Sequence, residues 1–361
     1  MHVIVTGIVI SSFVFSMFVV SSLMSGKSVE PDGIHIPVVY TLRIVMSDDK
    51  ATELHRQEPN VSNNEWKIRT ENNNVNFFKK EVEEEWQSPW YFIQGADPQY
   101  GLIERYINKN PIPNWDKEIE LTEKVVEKIN SLNPKPRFFV ICGDLCDAVP
   151  TENPDLYKAQ EATFKRIFSK IDPSIPVLVT CGNHDVGDQP LPEGLEIYKA
   201  SWGDDYYSFW CGGVLFLTIN SQYLADSKYV GEFASKHEEW LYEQLKLAKS
   251  KSGSRVVLLQ HIPWFLKSTD EEVEKSYFTL SKEVQRAMLD KLVDAGVEKA
   301  FCGHYHRNAG GTYKTMEVVV SSAIGGQLGP DKSGIRVVKV YKDKIEHEYY
   351  PIDDIPSSVK L

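Results

Sequence analysis

The chain has 361 residues, a formal net charge of −11, 42% hydrophobic residues and 25% charged ones. That length fits one large or two modest domains, and an acidic balance without a basic patch argues against a nucleic-acid binder. An anionic substrate stays compatible with it, because bound divalent ions rather than Lys and Arg can supply local positive charge.

Residues 1–26 carry no Lys, Arg, Asp or Glu, and residues 3–24 are mostly Val, Ile, Phe, Leu, Met and Ser. A bilayer span needs ~20 apolar residues, so the segment is long enough for an anchor. It lacks the Lys/Arg start of a secretory signal. The positive residues Lys27, Arg43, Lys50 and Arg56 all follow it, so a tether through residues 3–24 would leave the remainder cytoplasmic. A removed signal peptide and an inaccurate chain start are the rival readings. Residues 27–85 read as a polar, disordered lead, because the Asn-rich and charged stretch from Gln57 to Glu85 offers too little apolar surface to fold alone.

A globular domain is expected over 86–361. Strand Trp90–Ile93 opens it, followed by a helix with Leu121, Val125, Ile129 and Leu132 on one side that Pro134 stops. Strand Phe138–Ile141, a helix around Tyr157–Ile167 and strand Val177–Val179 come next, an alternation that argues for an α/β sheet covered on both faces. Tyr206–Phe209 and Val214–Ile219 flank Gly212-Gly213 and read as a strand pair. A helix carries Phe233, Trp240, Leu241, Leu245 and Ala248 at core spacing. Strand Arg255–Leu259, a helix near Ser281–Ala295, strand Lys299–Phe301 and a β-rich tail complete the chain. The expected architecture is two packed sheets with helices outside.

Five blocks carry the chemistry: Asp97-Pro98-Gln99, Gly143-Asp144-Leu145-Cys146-Asp147, Gly182-Asn183-His184-Asp185, Gln260-His261 and Gly303-His304-Tyr305-His306. Four of them directly follow apolar runs, so their carboxylate, amide and imidazole groups sit where buried strands end and can converge. Phosphoester hydrolysis needs a nucleophile, neutralised phosphoryl charge and a proton for the leaving alkoxide. Two divalent ions about 3.5–4 Å apart meet the first two needs through a shared hydroxide. In this reading Asp144 bridges the ions, Asp97, Gln99 and His306 complete one site, and Asn183, His261 and His304 complete the other. His184 donates the proton and Asp185 fixes its tautomer. Taken singly, the Asp-x-Gln and Gly-Asp-x-x-Asp blocks are common, and His261 reads equally as a core histidine. Their joint order carries the argument. Arg307 and Asn308 are candidate phosphate contacts, though a surface Arg is the plainer reading, and Trp264 and Phe265 read as core or as a substrate rim.

The five Cys include no CxxC pair. Cys142, Cys181 and Cys302 each precede a motif glycine and read chiefly as small buried residues at strand ends. This usage favours a reducing compartment.

These blocks, with Trp202-Gly203-Asp204-Asp205-Tyr206 and the run from Gly303 to Tyr313, resemble the calcineurin-like metallophosphoesterases over about residues 86–350. The resemblance implies a four-layer α/β/β/α sandwich with a dinuclear site for Mn, Fe, Zn or Mg. It is nearest to a branch of cytosolic serine/threonine protein phosphatases, which implies a phosphoprotein substrate, with kinases of the protein kinase B class as candidates. Most family members carry His where this chain has Gln99, a harder ligand that shifts preference toward Mn²⁺ or Mg²⁺. Ala148 and Asp185 stand where the large phosphoprotein phosphatases have Arg and Glu, so no protein substrate is inherited from those enzymes. A phosphodiesterase acting on cyclic nucleotides and a non-catalytic interaction module are the competing functions.

Overall fold

A computed structural model describes residues 70–251, 255–271 and 276–361. The anchor, signal and start readings of residues 1–26, and most of the expected polar lead, lie outside the described residues. Among the described residues no helix is long and apolar enough to cross a membrane.

The fold reaches upstream of Trp86. Strands β1 (Thr70–Glu71) and β2 (Asn74–Val75) and the one-turn helix α1 (Lys80–Glu83) precede it, and β2 pairs in parallel with a strand of the larger sheet. Val75 and Phe78 are buried, and Phe78 stacks on Phe209 with ring centroids 5.0 Å apart. Residues 70–85 therefore correct the disordered lead. Composition averaged over an Asn- and Glu-rich stretch hides two apolar side chains that find a preformed core.

The rest of the domain follows the expected alternation. β3 (Trp90–Gly95), α2 (Asp116–Ser131), β4 (Phe139–Ile141), α3 (Pro154–Phe168) and β5 (Val177–Val179) build one half. After α4 (Asn183–Val186) and α5 (Pro192–Trp202) come β6 (Tyr207–Cys211), β7 (Val214–Thr218), α6 (Gln222–Ala225), α7 (Gly231–Ser250), β8 (Arg255–Leu259), α8 (Lys282–Asp294) and β9 (Val297–Cys302). Strands β10 (Ala309–Tyr313), β11 (Met316–Val320), β12 (Gly334–Val340) and β13 (Ile345–Pro351) close the chain. The larger sheet runs β1-β2-β6-β7-β8-β9-β11-β10, and the smaller one β13-β12-β3-β4-β5.

Strand alternation makes the four layers. In β3, Trp90 and Phe92 join Phe138, Phe209, Phe216 and Phe301 in an aromatic layer between the sheets. Tyr91 and Ile93 point the other way, onto Val125 and Ile129 of α2 and Phe164 and Phe168 of α3. In the larger sheet Leu215, Leu217, Val256 and Leu258 pack outward against Leu241 and Leu245 of α7 and Met288 and Leu292 of α8. The result is the α/β/β/α sandwich. α5 and β10 have no counterpart in the sequence reading: α5 is only 11 residues long, and β10 is a Gly-rich edge strand without apolar alternation.

Candidate metal centre

The parallel strands β3, β4, β5, β8 and β9 deliver the five blocks from their C-terminal ends. Backbone hydrogen bonds lace the loops together: Asp97 N donates to Gly143 O (3.1 Å), Gln99 N to Asp144 O (3.0 Å) and Gly303 N to His261 O (3.0 Å). Asp97, Gln99, Asp144, His304 and His306 all adopt positive φ, between 36° and 69°. Non-glycine residues held there cost about 1–3 kcal/mol each and persist where the surroundings enforce them, typically at functional sites. Gly143, at φ 81°, lets the chain turn beneath His261, whose Nδ1 would lie 2.4 Å from any added Cβ.

Two groups of donors result, and they share one carboxylate. Asp144, His261 and His304 form one, and Asp97, Asp144 and His306 the other; each group's ligand atoms lie within 4.8 Å of one another. Each histidine donates one ring N–H to a backbone carbonyl. His261 Nδ1 donates to Cys142 O (2.8 Å), His304 Nε2 to Tyr277 O (2.8 Å) and His306 Nδ1 to Gly326 O (2.6 Å). The opposite nitrogens, His261 Nε2, His304 Nδ1 and His306 Nε2, are thereby left as the ligating ones, the usual support for a metal-binding histidine. His261 Nε2 lies 3.2 Å from Asp144 Oδ1, 2.9 Å from Asn183 Oδ1 and 3.1 Å from His304 Nδ1. Donors about 3 Å apart are what bonds of about 2.0–2.2 Å to one ion require.

The remaining donors fit as well. Gln99 is buried, and its Oε1 has no hydrogen-bond partner among the described residues, a costly state for a buried carbonyl that a cation relieves. Asn183 gives its amide protons to Asp188 Oδ1 (2.7 Å) and the Tyr277 hydroxyl (3.0 Å), which turns its oxygen toward His261.

Electrostatics point the same way. Burial, reinforced by Asp144 and eased by His261, raises the Asp97 pKa to about 8. Burial works to raise Asp144 too, but His261 and His184 hold it below its ordinary value. Burial alone would lower His261, yet Asp144 and Asp97 push it up to about 9. Burial brings His304 down to about 3 and His306 to about 4, so both are neutral ligands at physiological pH. Buried carboxylates that hold a proton on a neighbouring imidazole form a site that divalent cations neutralise. Six of the seven expected donors, Asp97, Asp144, Asn183, His261, His304 and His306, are thus brought together, Gln99 adjoins them through its backbone N–H on Asp144 O, and the donor set fits two divalent ions.

The surroundings of His184 differ from expectation. Its backbone N–H donates to Asp144 Oδ1 (2.9 Å), and its Nδ1 donates to the carbonyl of Asp147 (2.6 Å). Asp185 does not reach the imidazole. Its carboxylate accepts the backbone N–H groups of Gly182 (2.8 Å), Asp144 (3.0 Å) and Leu145 (3.0 Å). This corrects the role read for Asp185: it pins the Asp144 loop, and Asp147 orients His184. Asp147 also binds Arg105, whose Nη2 donates to Oδ1 at 2.7 Å and whose Nε donates to Oδ2. The backbone N–H of Asp147 donates to Gln160 Oε1 at 3.1 Å. Asp147 lay inside a recognised block, whereas Arg105 had no sequence signal, because it arrives on a π-helical turn, Ile103–Ile107, a device frequent at functional sites.

Arg307 donates to Leu328 O (2.8 Å from Nε) and to the Tyr305 hydroxyl (2.9 Å), and Asn308 Oδ1 accepts from Arg336 (2.9 Å). These polar groups are engaged by the protein itself. Trp264 and Phe265 are core residues under α8. All five cysteines are free and buried, as the plainer reading expected of Cys142, Cys181 and Cys302.

The sequence profile described as calcineurin-like phosphoesterase matches residues 96–308. The serine/threonine-protein phosphatase CPPED1 of Bos taurus is 48% identical over 281 residues, covering 77% of this chain and 88% of the bovine one. Its Homo sapiens namesake is 47% identical over the same length, with 77% and 88% covered. Among solved structures, a dimetal phosphatase from Danio rerio superposes with a TM-score of 0.55 at 14% identity, over 74% of this chain and 97% of that one, a likeness of fold.

Proposed function

We propose that this chain, which belongs to the calcineurin-like phosphoesterase family, hydrolyses phosphoserine and phosphothreonine esters in proteins. It is an enzyme, a metal-dependent phosphoester hydrolase that uses two divalent ions. The observation that carries this reading is the pair of donor groups sharing Asp144, with each histidine's second nitrogen held by a backbone carbonyl. The protein substrate is supported by the identity to the CPPED1 phosphatases over 77% of the chain. Kinases of the protein kinase B class as substrates, and a cytoplasmic catalytic domain, belong to the same proposal.

Bound by Asp97, Gln99, Asp144 and His306 on one side and Asp144, Asn183, His261 and His304 on the other, the two ions would supply positive charge for the phosphoryl oxygens and acidify a water toward neutral pH. The protein supplies the proton. His184 gives its Nδ1–H to Asp147 O, which leaves Nε2 to protonate the leaving alkoxide. Burial works to lower the His184 pKa, but the carboxylates of Asp144 and Asp147 raise it above its ordinary value, favouring the protonated form a general acid needs.

The test compares turnover of a phosphoserine peptide, bis-p-nitrophenyl phosphate and a cyclic nucleotide by the full Mn²⁺-loaded chain. Peptide turnover should exceed diester turnover and fall about 10²–10⁴-fold in His184→Ala. A preference for diesters would overturn the protein substrate.

A further inference from the structure

Tyr277 was absent from the sequence reading, yet it touches the centre at three points. Its carbonyl accepts His304 Nε2–H at 2.8 Å, its ring lies 4.9 Å from the His304 ring, and its hydroxyl accepts from Asn183 Nδ2 at 3.0 Å. The side chain is nevertheless exposed, at 56% of its full area. A large aromatic fastened to two metal-binding residues and still open to solvent lies on the path by which a substrate approaches.

The phenol proton is the group left to act. Asp188 Oδ1 lies 3.5 Å from the Tyr277 oxygen, at the outer limit of a hydrogen bond, and already accepts Asn183 Nδ2–H at 2.7 Å. A donor so weakly engaged is available to a stronger acceptor, and a phosphoryl oxygen is one. We propose that Tyr277 contacts the substrate, donating its phenol proton to a phosphoryl oxygen seated over the Asn183–His261–His304 half of the centre. The assignment rests on the phosphoester-hydrolase reading of that centre.

Tyr277→Phe isolates the hydroxyl, since it preserves the ring against His304 and the carbonyl that holds the His304 tautomer. With the full Mn²⁺-loaded chain, inorganic phosphate affinity is measured by calorimetry, bound Mn²⁺ by elemental analysis and phosphoserine-peptide turnover in parallel. One charge-assisted hydrogen bond lost predicts about tenfold weaker phosphate binding and about tenfold lower kcat/KM at unchanged Mn²⁺ content. Unchanged phosphate affinity overturns the assignment. So does Mn²⁺ content falling in step with affinity, which would leave Tyr277 only the role of holding Asn183. If wild type binds phosphate and Tyr277→Phe weakens it while neither turns over the peptide, the proposed substrate fails and the Tyr277 assignment stands.

Discussion

Glu118 offers the sharpest test of how the loop beside the centre is held. It is fully buried on α2, and its Oε1 accepts the N–H groups of Gly101 (3.2 Å) and Ile103 (2.9 Å) at the start of the turn that carries Arg105. Its Oε2 has no partner among the described residues. Burial raises its pKa from 4.5 to about 7; the two amides oppose this, and Asp147 adds to it. Between those values the folded chain keeps a proton that the unfolded chain has lost, so stability falls as pH rises through the window. At about 1.4 kcal/mol per pH unit, the loss over that interval is about 3 kcal/mol. Glu118→Gln retains an oxygen for the two amides and is neutral at every pH. Urea denaturation of both proteins with metal chelated, from about pH 4.5 to about pH 8.5, measures the contrast. The stability of the Gln variant relative to wild type should climb by about 3 kcal/mol across that range, whatever its starting offset. A difference that stays flat with pH, or falls, would refute the claim that a buried charge forms there on the alkaline side.

The other predictions concern the centre itself. Asp185→Asn leaves one oxygen to serve three backbone donors, at a cost of about 1–3 kcal/mol for each N–H left facing the amide. Thermal melts and Mn²⁺ titration should both weaken, and a variant altered only in the pH profile of turnover would restore Asp185 to His184. In Gly182→Ala the new Cβ would lie 2.2 Å from Asp144 N and 2.3 Å from Asp144 Oδ1. Displacing the shared carboxylate should abolish Mn²⁺ binding and turnover, and full metal content would contradict the geometry. Gln99→His replaces a hard amide oxygen with imidazole, so activation should move from Mn²⁺ toward Zn²⁺ or Fe²⁺; superimposable metal profiles for the two proteins would reject a role for Gln99 in metal choice.

Much of the site was legible in the chain because its chemistry is local. A ligand block at the end of an apolar strand announces itself through residue type and position, so the candidate donors around Asp144 and the sandwich that carries them were readable. What a side chain does with its second atom was not. Asp185 adjoins His184 in sequence and Asp147 lies 37 residues away, yet only the packed loops show the first spent on Gly182, Asp144 and Leu145 while the carbonyl of the second takes the imidazole. Val75 and Phe78 likewise look like stray apolar residues in a polar stretch until Phe138 and Phe209 are present to receive them. Arg105 and Tyr277 come to the centre from loops with no motif, one 42 residues from Asp147 and the other 94 from Asn183. The sequence by itself determined the donor types, the strand ends that carry them and hence the class of reaction. The tertiary structure decided which hydrogen bond each donor makes, because that depends on distances between loops that no local pattern encodes.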